Sequence, residues 1–577
     1  MTGLFSFRFR DDAVFYFVCD HSLNPRQDNR LSIRSLILVI CIYAIGDTAL
    51  WAQTGRATRY QPGDWVTYAS FHYITSFEEG NRYVYIGSTH GVLRYNRISR
   101  QWDIPYTPGY GLQNGYVLNM FWNENTRELW VFTRGGVDII RTPGDTWEHL
   151  DGTETLLQSA QREVRVGTGR NSIYVRVDGG TIHEFDRLSH QHVGIASPNP
   201  QVIQWKKQDY AASQSGNLIL DGLWNINRMN QTLENERFRS FPLTVQYVDT
   251  DDKLWIGTWG AGFIQADILT NVGSVIRKGP LSTPIGAIYE SESGLWFGGL
   301  SSWYSGPPSI QGQPGISYRE ENGDTWAHYS PEDEYNIRDA TIYGIDGDSL
   351  GIWFGTDRGL LYFNYGQQQW RRMDNPHLRT VQVYDVLVQD TLLWAATRSG
   401  LYRITNPTGY VREQVPLAGK TVMAAYSLTE HLDRVFVGTE YGLAAVDPVS
   451  KLIYYYNEDG LTVPREQFQF LRVYNVTATE DHLFYVNDYG LFQLQVDKKN
   501  QTQIPKLGLY ARSVVQTIEG YEDNLWVGLE DGLGRYNLEE NEWRFYTTED
   551  GLADEMVYDI LVNSEYVWCA TQSGATR

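Results

Sequence analysis

The segment Leu525-Trp526-Val527-Gly528, followed by Gly532-Leu533-Gly534-Arg535-Tyr536-Asn537 and then Trp543, is one copy of a unit that recurs down the whole chain. Other copies begin at Leu254-Trp255-Ile256-Gly257-Thr258, Ile352-Trp353-Phe354-Gly355-Thr356, Leu393-Trp394 and Val435-Phe436-Val437-Gly438-Thr439. Weaker copies centre on Tyr85, Trp130, Tyr174, Tyr210, Trp296, Phe484 and Trp568. The spacings between these twelve aromatic anchors are 45, 44, 36, 45, 41, 57, 41, 42, 48, 42 and 42 residues. A period of about 44 is the length of a four-stranded propeller blade. No such unit can bury both of its apolar faces alone, so neighbours must stack, and a ring removes the exposed ends.

Each unit reads as short strands separated by turns. The first is apolar and alternating, as in Val557-Tyr558-Asp559-Ile560-Leu561-Val562. An acidic or glycine-containing turn follows, and then the anchor strand, whose aromatic residue and the residue two places on share a face. The glycine that ends the anchor motif allows close approach of the next blade. A second glycine (Gly359, Gly400, Gly442, Gly532) suits a tight turn with positive φ. An outer strand led by tryptophan closes the unit, as at Trp102, Trp147, Trp326, Trp370 and Trp543.

A chain of 577 residues exceeds one ordinary core, and twelve units exceed the usual four to eight blades per ring. The expected architecture is all-β: two tandem β-propellers built from about twelve four-stranded blades, with residues 53–335 in the first and 336–577 in the second. The net charge of −21, without basic runs, makes nucleic acid a poor partner and anionic membrane surfaces repulsive.

The first 52 residues carry no repeat. Within them Arg30 and Arg34 precede an apolar run from Leu36 to Ile45, and Gly46 and Ala52 follow, which is secretory order. The region 1–52 therefore reads as a signal peptide region with a possible mis-called start, and the location as periplasmic or extracellular. No later stretch is apolar enough to span a bilayer as a helix, so no membrane span is expected in the mature chain. Of the three cysteines, Cys19 and Cys41 fall in this leader, leaving Cys569 without an intrachain partner.

Asp64-Trp65-Val66-Thr67-Tyr68 is an extra outer-strand pattern ahead of the first anchor, while the chain stops at Arg577 inside the third strand of its last unit. Two readings stay open. The N-terminal strand completes the last blade, with two six-blade rings meeting near residue 335, or the chain is a fragment whose first, seven-blade ring ends near residue 375.

The run Leu-Trp-Ile-Gly-Thr-x-x-Gly-Leu-x-Arg-Tyr-Asn resembles the two-component-regulator propeller repeat of periplasmic sensor halves of bacterial hybrid histidine kinases. The likeness covers 64–577 and includes the Asp-Gly-Leu that follows the outer strand at 459–461 and 550–552. It implies paired propellers that detect an extracytoplasmic ligand, often a glycan fragment, and signal to a membrane kinase. The sequence shows no kinase segment, spacer domain or following transmembrane helix. A motif that marks a fold does not decide a function.

Side chains with chemistry are sparse. The turns Asp249-Thr250-Asp251-Asp252 and Asp346-Gly347-Asp348 lack the full calcium loop, and hairpin turns need such residues anyway. The histidines, His72 and His431 among them, have no metal-like spacing, and no nucleophile elbow or phosphate loop occurs. No catalytic residue, metal or cofactor is expected. Ligand-binding candidates are Trp303 and Tyr304, in the insertion that lengthens one unit to 57 residues, and Trp259, Arg358, Arg398, Tyr441 and Tyr489, in the turns between second and third strands. The expected function is exported ligand recognition, of an oligosaccharide or peptide, without catalysis. The alternatives are a cell-surface scaffold for a protein partner, or a propeller lyase or hydrolase acting on glycans.

Overall fold

The computed structural model describes residues 63–577 apart from short segments, the longest being 207–217 and 301–314, together with the strands Leu4–Arg8 and Val14–Val18. Those two strands form an antiparallel pair within a separate unit, residues 1–58. The apolar run 36–45, both leader cysteines, the Tyr210 anchor, Trp303 and Tyr304 lie outside the described residues.

From residue 63 onward the chain is a succession of sheets, eleven of them among the described residues, mostly four-stranded and meandering, and antiparallel except where Ile219–Leu220 runs parallel to Val272–Ile276. The chain has the β-propeller fold. The repeat motif explains the local build. The threonine ending the second strand donates its hydroxyl to the carbonyl of the turn glycine three residues on, as Thr356 to Gly359 at 2.8 Å and Thr397, Thr439 and Thr571 to their glycines at 2.7 Å. Gly532 there has φ +133°, and a Cβ would sit 2.5 Å from the Tyr546 carbonyl oxygen. The anchor glycine serves the blade interface instead: a Cβ on Gly438 would lie 2.8 Å from the carbonyl oxygen of Val473 in the next blade.

Seven sheets follow one another around a ring: 285–329, 342–372, 383–415, 425–463, 473–503, 515–546 and 557–576, each with its first strand beside the first strand of the next. The last packs on the first, with Trp568 and Ala570 against Ile285, Ile288 and Phe297. Its fourth strand is Thr67–Tyr68, paired antiparallel with Gly574–Thr576, so the N-terminal strand completes the last blade. The division expected at 335/336 does not fall there. Ala287 and Trp296 share one core with Ile342, Phe354, Phe363 and Trp370 across that point. Similar blades pack alike, so the position of a seam depends on which distant strands close a ring, and the period carries no record of that.

The remaining sheets lie between residues 74 and 276, inside the sequence interval spanned by the seven-blade ring, so the two groups are nested rather than strictly tandem. Sheet 74–106 packs on 117–150, and that on 164–196, while Val245, Trp255 and Phe263 pack back on Ile74, Phe77 and Val84. Two segments, 69–73 and 277–284, carry the chain out to this smaller group and back. They touch: Phe71 N–H donates to the Lys278 carbonyl at 3.2 Å, and a Cβ on Gly279 would fall 1.8 Å from the Ala69 oxygen.

Candidate functional site

The first strands line the axis of the seven-blade ring, and each carries the same irregularity. One residue bulges out of register with the second strand, and it is Gly286, Tyr343, Tyr384, Tyr426, Tyr474, Gln516 or Tyr558 in blade order. A bulge re-aims the side chain it carries. Here it brings tyrosines of successive blades together: the ring centroids of Tyr343 and Tyr384 lie 6.3 Å apart, Tyr384 and Tyr426 5.5 Å, and Tyr426 and Tyr474 6.5 Å. Four tyrosines thus form a continuous aromatic arc, half-buried and facing the channel mouth, and Gln516 and Tyr558 continue the same level.

Three of the bulge residues reach their own blade's turn between second and third strands. The Tyr474 hydroxyl donates to Asp488, the Tyr558 hydroxyl to Gln572, and the Gln516 amide to Glu530 at 3.2 Å. Arg472 places its guanidinium carbon 5.7 Å from both the Tyr426 and the Tyr474 ring centres. The mouth therefore offers π faces ringed by hydrogen-bonding and charged tips, a surface able to stack on a sugar or a peptide side chain.

Below the collar, carboxylates tie blade to blade. Asp385 accepts from Val386 N–H in its own strand at 2.8 Å and from Leu428 N–H in the next blade at 2.8 Å. Asp559 does the same with Ile560 and Ile288, both at 2.9 Å, and Asp346 with Gly347 at 2.8 Å and Val388 at 2.6 Å. Asp346, read from sequence as a turn residue, is thus an interblade staple. Burial raises these acids against the pull of their N–H donors: Asp346 to about 6, and Asp385 and Asp559 to about 7. Glu519 rises to about 8, again by burial, with Asp559 and Asp385 adding repulsion. These groups keep a sliver of accessible surface on the channel side, yet they lie deep in the protein mass.

The pH dependence follows. A carboxyl raised in the fold above its unfolded value, about 3.9 for Asp and 4.3 for Glu, contributes stability that is complete below that value and lost as pH rises through the folded one. His90, lowered to about 4 by desolvation, and the buried His72 and half-buried His328, also lowered, act oppositely: their contribution is present above about 6.5 and lost on acidification. Between pH 6.5 and 8.5 Asp385, Asp559 and Glu519 lose their protons in the fold, so the unfolding temperature is expected to fall over that interval, and Asp385→Asn with Asp559→Asn to flatten the fall. A melting temperature that rises from pH 6.5 to 8.5 in both proteins would contradict this origin.

Among the described residues the smaller group of sheets shows no comparable opening. There the short strand Gln204–Trp205 adds to the axial edge of Val164–Thr168, and the Lys206 ammonium donates to the carbonyls of Phe77 at 2.9 Å and Met120 at 3.2 Å and pairs with Glu78. A strand and a neutralised lysine occupy its axis.

Arg358, Arg398, Tyr441 and Tyr489 fall in successive turns on the collar face, with Arg358, Arg398 and Tyr489 exposed and Tyr441 half-buried. The structure does not bring Trp259 to them. It belongs to the smaller group, where its indole meets Tyr73 edge-on at 5.3 Å and its backbone N–H donates to the Pro242 carbonyl at 2.8 Å. The collar tyrosines were missed in sequence, although positions 343, 384, 426, 474 and 558 keep the anchors' spacing. Read as an alternating strand, they looked like ordinary outward positions.

No family model and no curated relative matches the sequence. Among solved structures the chain is similar to PorZ, an essential bacterial surface component of the type-IX secretion system of Porphyromonas gingivalis. The two are 10% identical, with 89% of this chain and 86% of that one covered and a TM-score of 0.56. Extracellular domains assigned to hybrid two-component systems of B. thetaiotaomicron also resemble it: BT4673 (12% identity, 87% of this chain and 70% of that one, TM-score 0.41) and BT3049 (14%, 87% and 74%, TM-score 0.35). At these identities the likeness concerns the fold. The PorZ comparison carries it, and the two looser ones are below the level that supports an argument.

Proposed function

We propose that this chain is an exported ligand-recognition module, similar in role to the periplasmic half of a two-component sensor, and that it binds through the collar face without catalysis. The observation supporting this is the arc Tyr343–Tyr384–Tyr426–Tyr474 at the mouth of a channel whose carboxylates are already engaged in holding blades together. Stacking surfaces ringed by hydrogen-bonding tips suit recognition of a sugar or peptide. The apolar run 36–45 supports a periplasmic or extracellular location, and the acidic balance disfavours nucleic acid. An oligosaccharide or a peptide fits the collar.

A thermal-shift and calorimetric screen of the full chain against oligosaccharides and peptides tests this reading. The double variant Tyr384→Ala/Tyr426→Ala is expected to weaken the best binder by about fivefold or more, from the loss of two stacking faces worth about 0.5–1.5 kcal/mol each. Undiminished binding by that variant refutes the placement, and release of shortened products from the panel refutes the absence of catalysis. A second reading, a surface scaffold that contacts a protein partner, draws on the fold shared with PorZ across most of both chains.

A further inference from the structure

Beside the two crossing segments the seven-blade ring and the smaller group face each other across a cleft of about 320 Å³. Its walls come from both. The seven-blade ring supplies Thr67, Ala553 and Ser573, and the smaller group supplies the turn Thr89-His90 and the loop from Gln113 to Tyr116. The walls are held at a fixed separation by backbone contact: a Cβ on Gly109 would meet the Gly551 carbonyl oxygen at 2.3 Å, next to lining residues Pro108 and Ala553.

The chemistry of the lining is uniform. Among the described residues it contains no Asp, Glu, Lys or Arg. Its one imidazole, His90, is half-buried and, lowered to about 4 by desolvation, neutral at ordinary pH, with Nδ1 2.9 Å from the Thr89 hydroxyl and Nε2 3.3 Å from that of Thr283. The Ser573 hydroxyl donates to Asp554 at 2.7 Å, which leaves its lone pairs for an incoming donor. Gln113 is exposed and offers a carboxamide, both donor and acceptor. Tyr116 supplies an aromatic ring held in place by the Arg134 guanidinium 3.9 Å from its centre and by its own N–H, which donates to Asn114 at 2.8 Å.

We propose that this cleft is a second binding site, separate from the collar, for a small neutral polyhydroxylated ligand of the size of a mono- or disaccharide. The volume lies at the small end of ligand pockets, about 300–1,000 Å³. A charged ligand would enter without a counter-charge and lose hydration for nothing, whereas hydroxyls exchange water for Thr, Ser, Gln and backbone partners at little net cost. A ligand here touches both bodies at once.

The test is isothermal titration of the full chain with glucose, galactose, mannose and maltose, set against glucuronate and glucosamine as charged counterparts. One neutral sugar is expected to bind at a single site, with glucuronate and glucosamine at least tenfold weaker. Tyr116→Ala, which removes the platform, and Ser573→Tyr, which fills the space, are each expected to reduce that affinity at least tenfold, while Tyr384→Ala/Tyr426→Ala leaves it unchanged. The proposal falls if no neutral sugar binds at tens of millimolar, if a charged counterpart binds better, or if both cleft variants bind like the parent. Loss of binding in the collar variant would assign the sugar to the collar and also overturn it.

Discussion

Trp296→Ala is expected to lower the unfolding free energy by about 3–5 kcal/mol, at the upper end for an aromatic truncation. The indole is 2% exposed and sits among Tyr318, Tyr329, Phe354, Phe363 and Trp370 with centroid distances of 4.8, 6.0, 5.8, 5.4 and 6.3 Å. Two of these neighbours belong to its own blade and three to the next. The cavity left behind would therefore open at a blade interface, where rigid sheets on both sides cannot collapse into it. Denaturant titration measures the loss. Hydrogen exchange adds a second readout, since amides of 342–372 should lose protection together with those of 285–329. A loss below about 1 kcal/mol, or exchange confined to the mutated blade, would mean that residues 330–341 do separate two bodies.

The second large effect concerns closure. Val66 is 5% exposed, its N–H donates to the Arg577 carbonyl at 2.9 Å and its carbonyl accepts from Arg577 N–H at 2.9 Å. Tyr68, two residues on, lies between Trp568 at 5.3 Å and Trp326 at 6.2 Å. The variant Val66→Pro/Tyr68→Ala removes one ladder donor, leaves a carbonyl without its partner and strips an aromatic contact that joins the last blade to the first. The combined cost is expected to be about 3–5 kcal/mol. Under limited proteolysis the first new cuts should fall in 547–577, because the freed strand exposes that blade's outer edge. Cleavage elsewhere first, or unchanged stability, would show that the ring holds without this strand.

Much of the architecture was legible because a blade needs a large buried side chain at one fixed place, and Trp255, Trp353 and Trp394 announce that place every time. The threonine and glycines around them were equally readable, since each answers a local demand: a hydroxyl for a carbonyl, a positive φ, a close approach. Ring membership was only partly readable. The outer-strand pattern at 64–68 and the incomplete last unit left open the pairing of Thr67–Tyr68 with Gly574–Thr576 that the structure shows, but not how many blades it encloses, and so a seam was expected at 335 where one continuous core exists. The same ambiguity grouped Trp259 with Arg358, Arg398, Tyr441 and Tyr489. All five occupy equivalent turns, yet Trp259 sits in a different body. The collar stayed hidden for another reason. A single bulged residue breaks the two-residue alternation by which strand faces are assigned, and Tyr384 and its counterparts are those residues.

The closing strand also dictates an order of events. Residues 67–68 and their partners at 575–576 stand about five hundred positions apart, and contacts of such separation form slowly. During synthesis the piece that seals the circle is made early and must wait, unpaired, for residues 574–576 to arrive. The intervening 74–276 region can assemble in that interval, whereas the larger body stays an open arc with a sticky edge until they do. Premature partners for that edge, including another copy's waiting strand, are the hazard this arrangement has to outlast.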